Sequence, residues 1–377
     1  MASAVPKRLT GSDFGRRDIG LSTQPPTADT FPPRERDGIP TSFQHIDASS
    51  VSEALSLLQQ YPGAKLMAGG TDNMHLMREG VLRPSVVINI KTISGLDFIT
   101  SDGSGLKIGA LTKIGEVEDS QVVASGYDVL SQAAASVATR NVRNMATVGG
   151  DLVQDVWCWY LRTDFACWRN RSQPGNICFG AIGDNRYYHS IFGGRLCYAV
   201  HPSDLAVALL SLDATAEVAN PSGNRTVTID QLIPGDIILE GNIQSHTLSS
   251  QDILTQINIP TRKAGSRGIY AKIAIRRSID FALASLAANV VFEGNTVTDA
   301  RLVMGGVSTQ PMRVTAAESA IINNQITETV ATNAANAALS GATPLTTGTG
   351  NAFRVDLAKG VVKQGLLALA AGQPFTY

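Results

Sequence analysis

The sequence predicts an α+β protein of two or three domains, and three observations carry that expectation. Residues 65–90 run through a strand pattern, a glycine turn, a helix pattern and a second strand pattern. Two apolar runs, 281–292 and 297–305, flank Glu293-Gly294-Asn295, a hairpin signal. Helical segments rich in Ala then close the chain at 316–323, 327–339 and 353–371. Strands followed by helices from about residue 261 point to a separate C-terminal α+β domain, 261–377, behind a larger domain over 41–260.

The elements follow in order. Residues 1–40 are rich in Pro, Ser, Thr, Arg and Asp, carry Pro25-Pro26 and Pro32-Pro33, and show no apolar period. They read as an extended N-terminal arm, laid along a partner or simply a disordered tail. Residues 51–61 space Val51, Ala54, Leu55 and Leu58 by three and four behind Ser50, a suitable N-cap, and predict a helix. Lys65 to Ala68 predicts a strand, 71–80 a helix with Asp72 near its start and Gly80 at its end, and 86–90 a strand. A strand at 106–110 and a small-residue helix at 127–137 come next. Residues 204–212 predict an amphipathic helix and 214–219 a strand, ended by the turn Asn220-Pro221-Ser222-Gly223. No repeat of solenoid period is present.

Composition excludes several functions. The 377 residues are 44% hydrophobic and 17% charged with a net charge of −1, a globular balance that asks for no nucleic acid and no anionic membrane. No apolar run approaches the length that crosses a bilayer. Arg16-Arg17 leads into polar residues, not the apolar segment of an export signal, so the expected location is the cytoplasm, or the periplasm by export with a signal-bearing partner.

Two glycine turns carry candidate chemistry. In Ala68-Gly69-Gly70-Thr71-Asp72 a strand hands over to a helix, where backbone N–H groups are unpaired and the helix dipole favours an anion. Adjacent glycines let the backbone approach a phosphate. Thr147-Val148-Gly149-Gly150-Asp151 repeats the pattern, and two such turns could hold the two ends of a pyrophosphate. Neither matches the spaced glycines of a dinucleotide fingerprint, and neither is followed by the Lys-Ser or Lys-Thr of a P-loop. Each alone is a weak signal.

All four cysteines fall in one window, spaced Cys158-x8-Cys167-x10-Cys178-x18-Cys197. The spacing lacks the tight ligand pair of zinc ribbons and the short intervals of ferredoxins. Composition strengthens the case for a metal. The window holds all three tryptophans, Trp157, Trp159 and Trp168, in a chain with only 6% aromatics. Aromatic walls exclude water and tune a buried cluster. Gly175, Gly180, Gly183, Gly193 and Gly194 suit a loop wrapped around an inorganic core. An iron–sulfur cluster, a structural zinc, and free or disulfide-bonded cysteines are the three possibilities. His75, His189 and His201 are scattered, and no nucleophile triad forms from them. His189 and His201 are either donors to the cysteine site or packed loop residues, the second being the default. Arg169 and Arg171 read as solvated loop residues, or as a dock for an acidic electron acceptor.

Four runs together resemble the flavin subunits of molybdenum hydroxylases, the xanthine oxidase family. Leu66 to Asp72 is similar to their first FAD loop and Ala138 to Asp151 to their second. His201-Pro202-Ser203-Asp204-Leu205-Ala206 and Tyr270-Ala271-Lys272 with Arg276 resemble two later flavin segments, all in the family's order over about 42–375. The resemblance implies a two-subdomain FAD-binding fold of the vanillyl-alcohol-oxidase (PCMH) type, followed by a C-terminal α+β domain of the CO-dehydrogenase flavoprotein type. It implies FAD contacts at Leu66, Met67, Ala68, Gly69, Gly70, Thr71, Asp72, Asn73, Ala138, Thr147, Val148, Gly149, Gly150 and Asp151, with Asp204 and Lys272 near the ring or ribityl chain. On the residues alone, Asp204 could instead cap a helix and Lys272 could be a surface lysine. The window at about 155–200 resembles the insertion of bacterial aldehyde oxidoreductases and of 4-hydroxybenzoyl-CoA reductase. That likeness implies a [4Fe–4S] cluster on Cys158, Cys167, Cys178 and Cys197. The implied partners are a large molybdenum-cofactor subunit, a small [2Fe–2S] subunit, and an electron acceptor such as NAD, ferredoxin or a quinone. The implied role is electron transfer, with no catalytic residue in this chain. Two rivals are a stand-alone FAD oxidase or dehydrogenase, for which no general base stands out, and a zinc-stabilised scaffold without a redox role.

Overall fold

Ser50 accepts a hydrogen bond from the Glu53 N–H at 3.1 Å and starts the helix Val51–Gln60, whose Ala54 and Leu58 are buried. That helix connects two parallel strands. In the computed structural model, which describes residues 42–376 apart from 164, 171–174 and 176, the strands Gln44–Asp47, Val86–Asn89 and Lys65–Met67 form a three-stranded parallel sheet. Val86–Asn89 is its centre and is buried throughout. The arm expected over 1–40 lies outside the described residues, as does Arg171.

A second sheet is antiparallel, in the order Ile99–Asp102, Gly105–Gly109, Ile253–Pro260, Thr215–Ala219, Arg225–Thr228. Its central strand, Ile253–Pro260, has no counterpart in the sequence expectations. Gln256 to Ile259 alternates as a strand does, but Ile253 and Leu254 are adjacent and both buried, and a register shift between Leu254 and Gln256 breaks the period of two.

The third sheet holds Ser266–Ile273, Ala284–Glu293, Thr296–Gly305 and Met312–Arg313, all antiparallel. The expected hairpin is its middle pair. The helices Thr315–Ile321, Glu328–Ala338 and Phe353–Ala371 belong to the apolar core on one face. Helices Asp128–Ser136 and Asp204–Ser211 pack on the other, where Tyr270, Ala287 and Val303 join the core of the second sheet. Asp204–Ser211 is therefore not amphipathic as its sequence suggests. Seven of its eight residues are buried, because it is enclosed on all sides. The helix expected over 71–80 is also shorter, Asn73–Arg78, and Asp72 makes no capping bond to it.

Candidate functional site

The first glycine turn begins where Lys65–Met67 leaves the parallel sheet. Gly70 takes φ +73°, which a side chain rarely adopts. Asn73 reaches back to the Leu66 carbonyl at 3.0 Å and fixes the loop. Among the described residues the backbone N–H groups of Gly69, Gly70, Thr71 and Asp72 donate to no partner. The second turn is built differently from its sequence likeness. Val148 donates to the Thr112 carbonyl and Gly149 to the Ala110 carbonyl, both at 2.9 Å. Gly150 donates to Thr147 Oγ1 at 3.2 Å and Asp151 to the Thr147 carbonyl at 2.9 Å. The expectation of unpaired N–H groups in both turns therefore holds for the first only. The second uses its donors to fasten itself to the end of strand Gly105–Gly109 and to start the helix Val148–Leu152. The turns lie in direct contact: a Cβ on Gly69 would stand 1.9 Å from the Met145 carbonyl oxygen.

Between them opens a cleft of about 550 Å³. Fourteen of the sixteen residues singled out for cofactor contact line it, including Leu66, Ala68, Thr71, Asn73 and Ala138. Met67 and Val148 do not; both are buried in apolar cores. Ala138 takes φ +40° and its carbonyl accepts from the Ile279 N–H at 3.1 Å, joining two sides of the cleft. Asp204 and Lys272 form a buried ion pair at 2.5 Å, with side chains 6% and 8% exposed. Tyr270 donates its hydroxyl to Asp204 Oδ1 at 2.6 Å, and Lys272 also donates to the Ser136 carbonyl at 2.9 Å. Both bland alternatives fail here. Ser203, not Asp204, caps the helix by accepting from the Ala206 N–H, and Lys272 is not on the surface.

Asp151 lines the same cleft, fully enclosed. It accepts from the Ser203 hydroxyl and from Gln154 Nε2. Burial pushes its carboxyl up to about 7, against the Ser203 hydrogen bond and helped by the nearby Asp204. The folded value lies above the ordinary 3.8, so protonation favours the folded state. This stabilisation is complete below the unfolded value and is lost as pH rises through about 7. Asp151→Asn is expected to flatten the decline. Urea midpoints of the ligand-free chain between about pH 5 and about pH 8 measure it, and parallel curves for both proteins would refute it.

The cysteine window folds against this cleft. Asp72 ties the two together: one oxygen pairs with Arg162 at 2.7 Å and the other accepts from the Asp155 N–H at 2.9 Å. The Arg162 guanidinium covers the Trp157 ring at 3.9 Å. Trp157 in turn meets His75 and Phe281 in the cleft wall, at ring centroid distances of 5.8 and 5.0 Å. All four cysteines are buried and none is in a disulfide. Cys178 and Cys197 share a hydrogen bond, which lowers the first thiol and raises the second well above the usual range. Burial, then the charge of Cys197, pushes Cys158 up to about 12. Burial also raises Cys167. Among the described residues no three of His, Cys, Asp and Glu stand close enough to hold a single metal ion. Arg169 is neither a solvated loop residue nor a dock. It is 3% exposed and donates to Asp155 and Ser245, both at 2.9 Å, with its charge acting on Cys197. His201 is a packed residue, its pKa lowered to about 3 by burial. His189 faces the cysteines, with Nε2 3.3 Å from Cys158 Sγ.

Comparison with known proteins decides the family. Residues 41–262 match the model for the FAD-binding domain in molybdopterin dehydrogenases, and 269–369 match the CO dehydrogenase flavoprotein C-terminal domain. The chain belongs to the molybdopterin dehydrogenase flavoproteins. It is 33% identical over 283 residues to the aldehyde oxidoreductase FAD-binding subunit PaoB of Escherichia coli (strain K12), covering 74% of this chain and 85% of that one. It is 27% identical to the carbon monoxide dehydrogenase medium chain of Hydrogenophaga pseudoflava over 88% of this chain and 98% of that one. A solved carbon monoxide dehydrogenase from Hydrogenophaga pseudoflava superposes with a TM-score of 0.69 at 26% identity, over 88% and 99% of the two chains. Quinoline 2-oxidoreductase from Pseudomonas putida 86 shares the fold, with a TM-score of 0.69 at 21% identity.

This molybdopterin dehydrogenase flavoprotein uses residues that sequence reasoning passed over. Trp157, Tyr188 and Phe281 wall its cleft, although the aromatic concentration was read as a wall for the cysteines alone. Arg162 carried no signal, because a buried arginine looks like any other until its carboxylate partner is known. Among the described residues no helix is long and apolar enough to cross a membrane.

Proposed function

We propose that this flavoprotein is the electron-transfer subunit of a multi-subunit molybdenum hydroxylase or dehydrogenase, holding FAD in the cleft and a [4Fe–4S] cluster on its four cysteines. The observation that carries the proposal is the row of unpaired N–H groups from Gly69 to Asp72, on residues that line a cleft which also holds a buried ion pair. Four successive donors with no internal partner suit the oxygens of a pyrophosphate. Thr71 adds a hydroxyl, and Asp151, Asp204 and Lys272 supply polar groups deeper in the cleft. FAD, when bound, supplies two-electron and one-electron redox chemistry in one site. The chain itself binds, orients and shields. The missing side chain of Gly69 lets the turns approach at Met145, the Asp204–Lys272 pair sets the local charge, and Trp157, Tyr188 and Phe281 exclude water.

The residues of the window fit a cluster on three counts. Four buried thiols between positions 158 and 197 act on one another electrostatically, Trp159, Tyr160 and Phe179 share the apolar cluster of Cys158 and Cys197, and the Arg169 cation beside Cys197 favours a thiolate. Because their thiols are held protonated by burial, loading releases protons and strengthens as pH rises. The remaining parts of the proposal are a domain boundary near residue 261 and an insertion at about 155–200. The partners are a large molybdenum-cofactor subunit and a small [2Fe–2S] subunit. The acceptor is NAD, ferredoxin, a quinone or another carrier, and the location is cytoplasmic or periplasmic with the partners. The named relatives, an aldehyde oxidoreductase subunit and a carbon monoxide dehydrogenase chain, support such an assembly.

Anoxic purification from the native source tests the proposal. FAD, iron, acid-labile sulfide and molybdenum are expected in one complex with two further chains. Each Cys→Ser substitution is expected to deplete the iron assigned to this chain while leaving the flavin. A chain that purifies alone and oxidises a small molecule would point to the stand-alone oxidase. A colourless chain holding zinc would point to the scaffold.

A further inference from the structure

We propose that His189 is a positioning residue of the cysteine site, donating its Nε2–H to the Cys158 sulfur and thereby raising the reduction potential of the centre those cysteines hold. The proposal rests on the [4Fe–4S] reading above and goes beyond it, because it assigns a tuning role to a residue that holds neither iron nor flavin.

Geometry carries it. The His189 ring is fully buried, with Nε2 3.3 Å from Cys158 Sγ. Its other nitrogen, Nδ1, has no hydrogen-bond partner among the described residues. In the free chain the thiol proton can be given to Nε2. A sulfur bonded to iron has no proton, so only donation from Nε2 to sulfur remains. The proton then sits on Nε2, and Nδ1 keeps its lone pair.

The backbone that carries the ring is fixed. Its backbone carbonyl accepts from Asn351 Nδ2 at 3.1 Å and from the Arg354 guanidinium. Arg354 is itself fully buried and also donates to the Leu283 carbonyl at 2.6 Å and to the Gly306 carbonyl. An antiparallel bridge joins His189 to Ala199, two residues past Cys197. Trp159 meets the ring edge-on at 5.4 Å and Tyr160 lies at 6.1 Å. The C-terminal helix Phe353–Ala371, through Arg354 in its first turn, thus fixes a donor beside a cysteine nearly two hundred residues earlier in the chain. An N–H···S bond favours the more negative, reduced form of a centre and raises its potential.

The test is a redox titration of the anoxically purified full chain and of two variants, with iron and sulfide measured on each. His189→Phe keeps a ring against Trp159 and removes both nitrogens. It is expected to hold the wild-type iron and sulfide and to shift the one-electron reduced-to-oxidised ratio tenfold toward oxidised at a given potential, about 59 mV lower. His189→Gln keeps an N–H and is expected to stay nearer the wild type. A wild-type potential in His189→Phe overturns the proposal and leaves the cluster reading intact. A wild-type chain without iron overturns both. Should His189→Phe shed its iron, nitrogen-15 histidine labelling decides the matter. Coupling of a histidine nitrogen to the reduced wild-type centre supports the proposal, and its absence overturns it.

Discussion

Gly69→Ala is expected to strip the protein of its flavin while leaving it folded. The added methyl carbon would stand 1.9 Å from the Met145 carbonyl oxygen and 3.2 Å from the Ala146 Cα. Both obstacles are backbone, so no side chain can rotate aside. One of the two turns must move, at an overpacking cost of about 1–3 kcal/mol. The Gly69 to Asp72 donors gain nothing internal to replace a displaced ligand. A loss of about 1.4 kcal/mol in binding is already tenfold in affinity. FAD affinity, read by titrating the ligand-free chain, is expected to fall by about 5- to 150-fold, with bound flavin lost on gel filtration. Beside the clash the turns touch the sheet cores only at their edges, through Ala68 and Ala146, so far-UV circular dichroism is expected to match the wild type. A Gly69→Ala protein with full flavin would show that the turns do not form the binding edge.

Lys272→Met is expected to be the most destabilising single change among the polar residues of the cleft. It leaves Asp204 buried with its ammonium partner gone and only the Tyr270 hydroxyl still donating to it. Removing one member of such a pair costs about 3–5 kcal/mol, largely through the charge left behind. The double variant Asp204→Asn with Lys272→Met removes both charges and is expected to recover most of that loss. Urea unfolding of the ligand-free proteins measures the cycle. If single and double variants are equally destabilised, the two side chains act separately and the pair is not the unit described here.

The legible part of the fold was the part with strong local signals. The helix Val51–Gln60 announced itself by Ser50 and apolar spacing, and the hairpin around Gly294 by its turn between two apolar runs. Ile253–Pro260 has no such signal, because the adjacent Ile253 and Leu254 and the bulge after them leave only a short alternating stretch, although it is the centre of the five-stranded sheet. Asp204–Ser211 looked amphipathic because its polar ends are visible in sequence while the sheet that covers its far side is not. The two glycine turns look alike as sequence. Only their neighbours reveal that Thr112 and Ala110 take the donors of the second, while those of the first have no partner within the described residues. Asp72 sits in a run assigned to the cofactor, yet its carboxylate braces the cysteine window through Arg162. Such long-range partners have no signature in a single sequence.

The central claim is that the cleft between the two turns holds FAD. Denaturing the purified, folded chain and measuring the flavin it releases tests it most directly. One FAD per chain is the expected result, with the yield falling together with binding in Gly69→Ala. A folded wild-type chain that releases no FAD, even after incubation with an excess of it, would contradict the claim.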